Sequence, residues 1–233
     1  MKKIILMVTV MMTSLVAHAQ FEPGTISVQP RVGVTAAMLS NAPDIDLKDI
    51  GLNVENKKLD AQPTAGVILG ADLEYQVSNL FSVSAGLNWG QAGSGWEDLK
   101  INSSEGTAEM KDLKIETSYL NVPITFNFYV LKGLALRTGV QMGFLTSADL
   151  KTTLTMSSGN LNEKIEMDQS CKEDFKKFDL SIPVGISYEF SSHFVIDARY
   201  NIGITKVNKE SEPGEKDSRN GVFALTFGYK FAI

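Results

Sequence analysis

The sequence is dominated by an alternation of apolar and polar side chains, with a period of two residues, that recurs in eight separate stretches. Such alternation is typical of β-strands whose two faces meet different surroundings. The stretches cover residues 26–38, 65–77, 81–89, 120–130, 134–144, 178–190, 194–204 and 223–231. Each is long enough to cross a bilayer as a tilted strand, which takes roughly 9–11 residues. We therefore predict an all-β chain.

The two faces of these stretches differ in bulk as well as in polarity. The apolar face carries large aromatic residues such as Trp89, Phe126 and Phe227. The polar face is rich in glycine and carries charges of both signs: Arg31, Arg137, Arg199 and Lys230 against Asp72, Glu74, Asp179, Glu189 and Asp197. An eight-stranded barrel has an interior only wide enough to fill with side chains. The polar face fits that interior better, so we predict that the apolar face contacts lipid.

The connections between the stretches alternate between very short and long. Residues 78–79, 131–133 and 191–193 form short turns, whereas segments 39–63, 90–117, 147–175 and 205–220 are long and polar. Short periplasmic turns that alternate with long extracellular loops are typical of outer-membrane barrels. We predict an eight-stranded antiparallel up-and-down transmembrane β-barrel with both termini on the periplasmic side. The second and third loops are long enough to extend their strands as hairpins.

Two further features refine this prediction, and one alternative stays open. Pro123 and Pro183 fall on the polar face inside strands, where each removes a ladder donor, so we expect a bulge or a local break at both. Aromatic residues beside the short turns predict a girdle at one membrane interface: Tyr75, Phe81, Phe128, Tyr188, Phe190, Phe194, Tyr229 and Phe231. A soluble β-sandwich, or a lipocalin-like barrel around an apolar ligand, would show the same alternation with the apolar face inward.

The first 19 residues have the features of a cleavable export signal. Lys2 and Lys3 precede an apolar segment over residues 4–16, and Ala17-His18-Ala19 fits the small-x-small cleavage pattern. Cleavage between Ala19 and Gln20 would leave a barrel domain over residues 20–233. A short membrane anchor is the alternative, but the apolar segment is too short for one and no stop-transfer charges follow it.

Residue types that carry catalysis or bind metals are scarce in this chain. A Ser/His or Asp/His mechanism needs an imidazole as proton carrier, and His193, the only histidine after the predicted signal, falls in a short turn. Cys171 is the only cysteine, so neither an intrachain disulfide nor a zinc set is expected. Acidic loop residues such as Asp44 and Asp168 lack the spacing of a calcium loop. We predict no catalytic residue, metal or cofactor, although a mechanism using carboxylates alone stays open.

Charged residues of the polar face are candidates for a charge network inside the barrel. Seven residues make up this set: Arg31, Asp72, Glu74, Arg137, Asp179, Asp197 and Arg199. Unpaired charges in a narrow interior are costly, so we expect opposite charges to pair. We favour a packed plug as their role, and a path that conducts protons or ions is the alternative.

Several segments, taken in order, resemble a known family. They are Tyr119-Leu-Asn-Val-Pro-Ile124, Leu136-Arg-Thr-Gly-Val-Gln-Met-Gly-Phe144, Phe178-Asp-Leu-Ser-Ile-Pro-Val-Gly-Ile186, Asp197-Ala-Arg-Tyr-Asn-Ile-Gly203 and Phe227-Gly-Tyr-Lys-Phe231. Together they resemble the PorT-like outer-membrane β-barrel family of the Bacteroidota. The resemblance implies an eight-stranded barrel in the cell outer membrane. The family's named member takes part in assembling the type IX protein-secretion system, so the resemblance also implies secretion as one alternative role.

Three functional hypotheses follow from the sequence. The first is a non-enzymatic outer-membrane barrel that presents surface loops for adhesion or partner binding, or that supports the envelope. The second is a component of protein secretion or assembly, and the third is a lipid-modifying outer-membrane enzyme. The expected partners are the outer-membrane bilayer and proteins that contact the extracellular loops. The formal net charge of −5 argues against nucleic acid as a partner.

Overall fold

The computed structural model describes residues 21–41, 45–46, 58–103, 106–158, 161–209 and 217–233. The eight strands that form its barrel are β1 Ile26–Ser40, β2 Thr64–Ser78, β3 Phe81–Trp96, β4 Gly106–Leu131, β5 Leu134–Ser158, β6 Phe178–Glu189, β7 Phe194–Gly203 and β8 Arg219–Tyr229. The predicted signal peptide, with its cleavage point between Ala19 and Gln20, lies outside the described residues. Within those residues, no helix is both long and apolar enough to cross a membrane.

Strands β1 to β8 form one closed antiparallel circle. Each strand pairs with the next along the chain, from β1 with β2 through to β7 with β8. The circle is completed by β8 and β1, which pair from Arg31 opposite Gly228 to Ser40 opposite Arg219. The predicted eight-stranded up-and-down barrel is therefore confirmed.

Side chains alternate in burial along the strands, and the buried set is the polar one. In β1, Gln29, Arg31 and Thr35 are buried, whereas Val32 and Val34 are 61% and 57% exposed. Polar side chains are buried and apolar ones exposed around the rest of the sheet as well, with Asp197 fully buried and Phe227 54% exposed. A soluble sandwich or lipocalin-like barrel would bury the apolar set instead. The apolar outer surface therefore matches a barrel that lipid surrounds.

Both prolines of the polar face interrupt a strand pairing without shifting its register. Pro123 is buried in β4, and the β3–β4 pairing skips from Ala85–Ile124 to Asn88–Asn121. Pro183 is buried in β6, and the β5–β6 pairing skips in the same way on either side of it. A proline has no N–H to donate to a neighbouring strand. The expected local break is thus present at both prolines, and a bulge is absent from these two pairings there.

Strands β4 and β5 are much longer than the segments predicted for them. The predicted loops 90–117 and 147–175 consist largely of strand, so their description as polar loops is corrected, and their extension as hairpins is confirmed. Residues 106–117 of β4 and 148–158 of β5 pair with each other beyond the barrel. Leu99–Ser103 adds to the β4 edge and Leu161–Ser170 to the β5 edge. We call these four strands the outer sheet.

Short elements complete the structure at both ends of the barrel. Ile45–Asp46 pairs with Lys58–Leu59, Ala61–Gln62 pairs with β3, and Phe231–Ala232 pairs with β1. A 3-10 turn spans Lys172–Asp174. Ring contacts cluster beside the short turns, where Phe81 lies 5.2 Å from Phe128 and Tyr229 lies 5.1 Å from Phe194, measured between ring centroids. These contacts support the predicted aromatic girdle.

Candidate functional site

The centre of the lumen holds a cluster of three arginines and two aspartates. Arg137 donates from Nη1 to Asp197 Oδ2 at 2.8 Å, and Arg199 Nε donates to Asp197 Oδ1 at 2.6 Å. Arg31 Nη2 lies 3.1 Å from Asp72 Oδ1, an ion pair whose geometry is not that of an aligned hydrogen bond. All five side chains are at most 5% exposed. The cluster therefore fills the middle of the barrel with mutually compensating charges.

A glycine makes room for one member of this cluster. A Cβ on Gly86 would lie only 2.0 Å from Asp72 Oδ1, so the aspartate carboxylate occupies the space that a side chain would need. Gly86 lies directly opposite Asp72 in the β2–β3 pairing. The glycine at this position thus follows from the charged group that the lumen encloses beside it.

A second charge cluster lies toward the short-turn end. Lys230 Nζ lies 2.8 Å from Glu74 Oε1 and 2.8 Å from Glu189 Oε2. Glu74 also accepts hydrogen bonds from Tyr129 Oη at 2.8 Å and Ser82 Oγ at 3.0 Å. The central cluster has one excess positive charge and this cluster one excess negative charge, so the two balance. Lys230 and Glu189 lie on the predicted polar face but were not among the seven candidate network residues.

Asp179, one of the seven candidate network residues, stands apart from both clusters. Its carboxylate accepts hydrogen bonds from Thr205 Oγ1 at 2.7 Å and Asn220 Nδ2 at 3.0 Å, and no ion pair involves it among the described residues. It borders a polar cavity of about 30 Å³, also lined by Tyr119 and Asn201. A cavity of this size holds one or two water molecules.

Apolar side chains cover the lumen at the long-loop end. Phe175 and Val207 are 7% and 1% exposed and pack with Leu39, Ala92 and Tyr119. Backbone hydrogen bonds fasten the two covering segments together, including Lys176 N to Val207 O at 2.7 Å. Together with the charge clusters, this cover leaves little open path through the described part of the barrel.

The outer sheet has one apolar and one charged face. Leu99, Met110, Leu154 and Ile165 lie side by side across its four strands in register, and Lys100, Glu109, Thr155 and Lys164 form the neighbouring row on the opposite face. Leu59, Trp96 and Leu99 form a buried cluster at one edge of the apolar face. Toward the other edge, Met156, Ile165 and Met167 remain 40–51% exposed.

Lysines and glutamates pair on the charged face of the outer sheet. Glu109 contacts Lys100 at 2.5 Å and Lys111 at 2.7 Å. These two hydrogen bonds lower the pKa of Glu109 to about 2. Lys164 donates to Glu166 at 2.6 Å along the strand Leu161–Ser170. The charged face is therefore a pattern of ion pairs in water, where each pair contributes little to stability.

Neither His193 nor Cys171 is placed for catalysis. His193 lies away from the outer sheet, and Cys171 lies where its thiol is unreactive. His193 lies in the turn between β6 and β7, with Nδ1 3.2 Å from Glu189 Oε1 and its ring stacked on Phe21 at 4.4 Å. Burial, together with Asp174 and Asp149, raises the pKa of the Cys171 thiol, which makes it a poor nucleophile. No three metal-ligating side chains cluster in the described ranges.

A closed barrel with an apolar outer surface and a charged interior is the architecture of an integral outer-membrane protein. The chain belongs to the family of proteins with an outer membrane protein β-barrel domain, whose model matches residues 18–209. In barrels of this class the short turns face the periplasm and the long loops face outward. No curated protein matches the chain. The narrower resemblance to PorT-like proteins of the Bacteroidota stays a prediction.

Several solved outer-membrane barrels are similar to this chain at low sequence identity. Ail, the attachment invasion locus protein of Yersinia pestis, is 19% identical with a TM-score of 0.40, over 90% of this chain and 99% of Ail. Neisserial surface protein A is 14% identical with a TM-score of 0.43, over 88% and 97%. OprG of Pseudomonas aeruginosa is 13% identical with a TM-score of 0.38, over 92% and 99%.

Proposed function

We propose that this protein is a non-conducting, non-enzymatic barrel of the outer membrane whose function is adhesion through the outer sheet. The observation that carries the proposal is the continuation of β4 and β5 as paired strands well beyond the barrel, with a strand added at each edge. A barrel that served only to cross the membrane would need no such ordered sheet outside it. The charged lumen clusters then act as a packed plug that supports the sheet.

The exposed surfaces of the outer sheet support this proposal. Its edge strand Leu161–Ser170 is exposed from Asn162 to Ser170, and Ile165 and Met167 present apolar surface there. Exposed apolar residues rimmed by charged ones are typical of protein-binding surfaces. A binding role at this surface requires neither an imidazole nor a metal ion.

Trimming the outer sheet tests the proposed role directly. Residues 100–109 and 151–168 would each be replaced by Asn-Gly, which forms a tight two-residue hairpin turn. Leu99 opposite Met110, and Leu150 opposite Gln169, would then close the shortened hairpins. We expect cells that export the trimmed barrel to lose attachment to neighbouring cells and to protein-coated surfaces. Equal attachment by the trimmed and intact barrels, at equal surface amounts, would contradict the proposal.

Planar-bilayer recording tests the plugged lumen separately. The packed charge clusters and the apolar cover predict no stable ohmic conductance from the intact barrel. A variant with Asp197→Ala, Arg137→Ala and Arg199→Ala together removes much of the central cluster and serves as the comparison. Stable channels from the intact protein would contradict the plug and favour the conducting alternative.

A further inference from the structure

We propose that the edge strand Leu161–Ser170 pairs antiparallel with the same strand of a second copy of this chain carried by an opposing membrane. The inference rests on the proposed function and deepens it, because it names the partner of the outer sheet. It follows from the free edge of this strand, the order of its charges and the symmetry of antiparallel pairing.

The strand Leu161–Ser170 offers an open edge for pairing. It pairs with β5 on one side, and among the described residues no strand pairs with its other side. Ten residues in extended conformation present a row of backbone donors and acceptors at that edge. Such a row is the surface on which another strand can be added.

Charges on an edge strand ordinarily prevent such addition, but here their order selects one arrangement. When two copies pair antiparallel with Ile165 opposite Ile165, Lys164 of each copy lies opposite Glu166 of the other. Asn162 then lies opposite Asp168, and Glu163 lies opposite Met167. Opposite charges that face each other across two strands are stabilising, so this register forms two favourable cross-strand pairs.

The neighbouring symmetric registers are less favourable. A register centred on Glu166 keeps two opposite-charge pairs, Lys164 with Asp168, but sets the two Glu166 carboxylates against each other. A register centred on Lys164 sets the two lysines against each other and gains no opposite-charge pair. Like charges directly opposite destabilise a strand pair. In the single copy, Lys164 and Glu166 already bond each other at 2.6 Å. A second copy would convert that pair into a ring of four alternating charges.

The symmetry of this pairing sets the orientation of the two barrels. Two identical strands that pair antiparallel in one sheet are related by a two-fold axis perpendicular to the sheet. The outer sheet continues β4 and β5, so its plane runs along the barrel wall. Rotation by half a turn about a perpendicular axis reverses the barrel axis. The two barrels therefore point toward each other from opposing membranes.

Clustering of vesicles tests the inference with two single charge changes. The full-length barrel would be reconstituted in phosphatidylcholine vesicles labelled in two colours, and vesicle clustering followed by co-sedimentation and light scattering. We expect wild-type vesicles to cluster. Vesicles with Lys164→Glu, or with Glu166→Lys, should fall to the level of empty vesicles when tested alone, because each variant opposes like charges. Mixing the two variants should restore clustering, because two glutamates on the strand of one variant then face two lysines on the strand of the other.

A matched control and the contrary outcomes complete the test. Lys132→Glu makes the same charge change in a periplasmic turn and should cluster like the wild type. Heat-dependent gel mobility would establish that all variants are folded. Clustering by either variant alone, or no recovery in the mixture, would overturn the homophilic pairing. If cell attachment requires the outer sheet but does not change when Lys164 or Glu166 is substituted, the adhesive function stands and only the identity of the partner is wrong.

Discussion

Arg137 on β5 donates to Asp197 on β7 at 2.8 Å, so the central ion pair of the lumen passes over the intervening strand β6. The Lys230–Glu74 pair likewise joins the end of the chain to β2 across β1. The lumen clusters therefore connect strands that no backbone ladder joins, and they brace the barrel across its interior.

Removal of the Asp197 carboxylate should destabilise the barrel strongly. Asp197→Ala leaves Arg137 and Arg199 buried without their shared partner, and breaking a buried ion pair from one side costs about 3–5 kcal/mol. The free energy of unfolding in lipid vesicles, followed by urea titration, measures the change. Asp168→Ala is the control, because its exposed contact to Lys151 at 3.9 Å should change stability by less than about 0.5 kcal/mol. Equal effects of the two substitutions would show that the lumen cluster is not stabilising.

Replacement of Lys230 should make the barrel more stable in acid than at neutral pH. Lys230→Met leaves Glu74 and Glu189 buried together as uncompensated carboxylates, and protonation at low pH removes their charge. The wild type should lack this gain in acid, because Lys230 already compensates both carboxylates. Unfolding measured from pH 4 to 8 distinguishes the two. Parallel pH profiles for the wild type and the variant would contradict the central role of Lys230.

A methyl group at Gly139 should not fit between β4 and β5. Its Cβ would lie 2.1 Å from the carbonyl oxygen of Ile124, and a backbone atom cannot move aside without disturbing the ladder. Gly139→Ala should therefore cost at least about 1–3 kcal/mol or prevent folding. Gly90→Ala is the matched control, because the nearest atom there, Ile68 Cγ1, is 3.4 Å away. The fraction of heat-modifiable barrel measures both, and good folding of Gly139→Ala would show that the strands separate readily.

Glu109 should stay ionised in acid that protonates ordinary surface carboxyls. Hydrogen bonds from Lys100 and Lys111 lower its pKa to about 2 from the usual 4.5. A lowered pKa in the folded state means that this stabilising contribution is present above about pH 4.5 and is lost as the pH falls toward 2. Carboxyl chemical shifts during an acid titration measure the pKa. The double variant Lys100→Ala and Lys111→Ala should return it to the usual range, and an unchanged value would contradict these contacts.

The membrane-crossing part of the fold could be predicted from the sequence because its two faces differ so strongly. The period of two fixes which residues share a face, and the bulk of residues such as Phe126 and Phe227 decides that this face is outside. The register around the barrel, in contrast, could not be predicted from the sequence. Glu74 and Lys230 are 156 residues apart, and only the closing pairing of β8 with β1 brings them together.

The strands of the outer sheet could not be recognised from the sequence, for a related physical reason. Apolar and polar residues do alternate there, as Leu154 does between Thr153 and Thr155, but the runs are shorter than those of the barrel strands, so the segments resemble polar loops. Their pairing depends on the long neighbouring strands rather than on their own composition. The alternation of residues also cannot predict that Asp179 lacks an ionic partner. Its carboxylate accepts hydrogen bonds from the hydroxyl of Thr205, which follows β7, and from the amide of Asn220 on β8.

The length of β4 sets the height at which this protein meets its surroundings. Of its 26 residues, only about 10 are needed to cross the hydrocarbon layer. The remaining residues, at about 3.4 Å each and a tilt near 40°, rise roughly 40 Å above the hydrocarbon. That rise exceeds the depth of the lipid headgroups several-fold. A macromolecule at the cell surface can therefore contact the tip of the sheet without approaching the lipid.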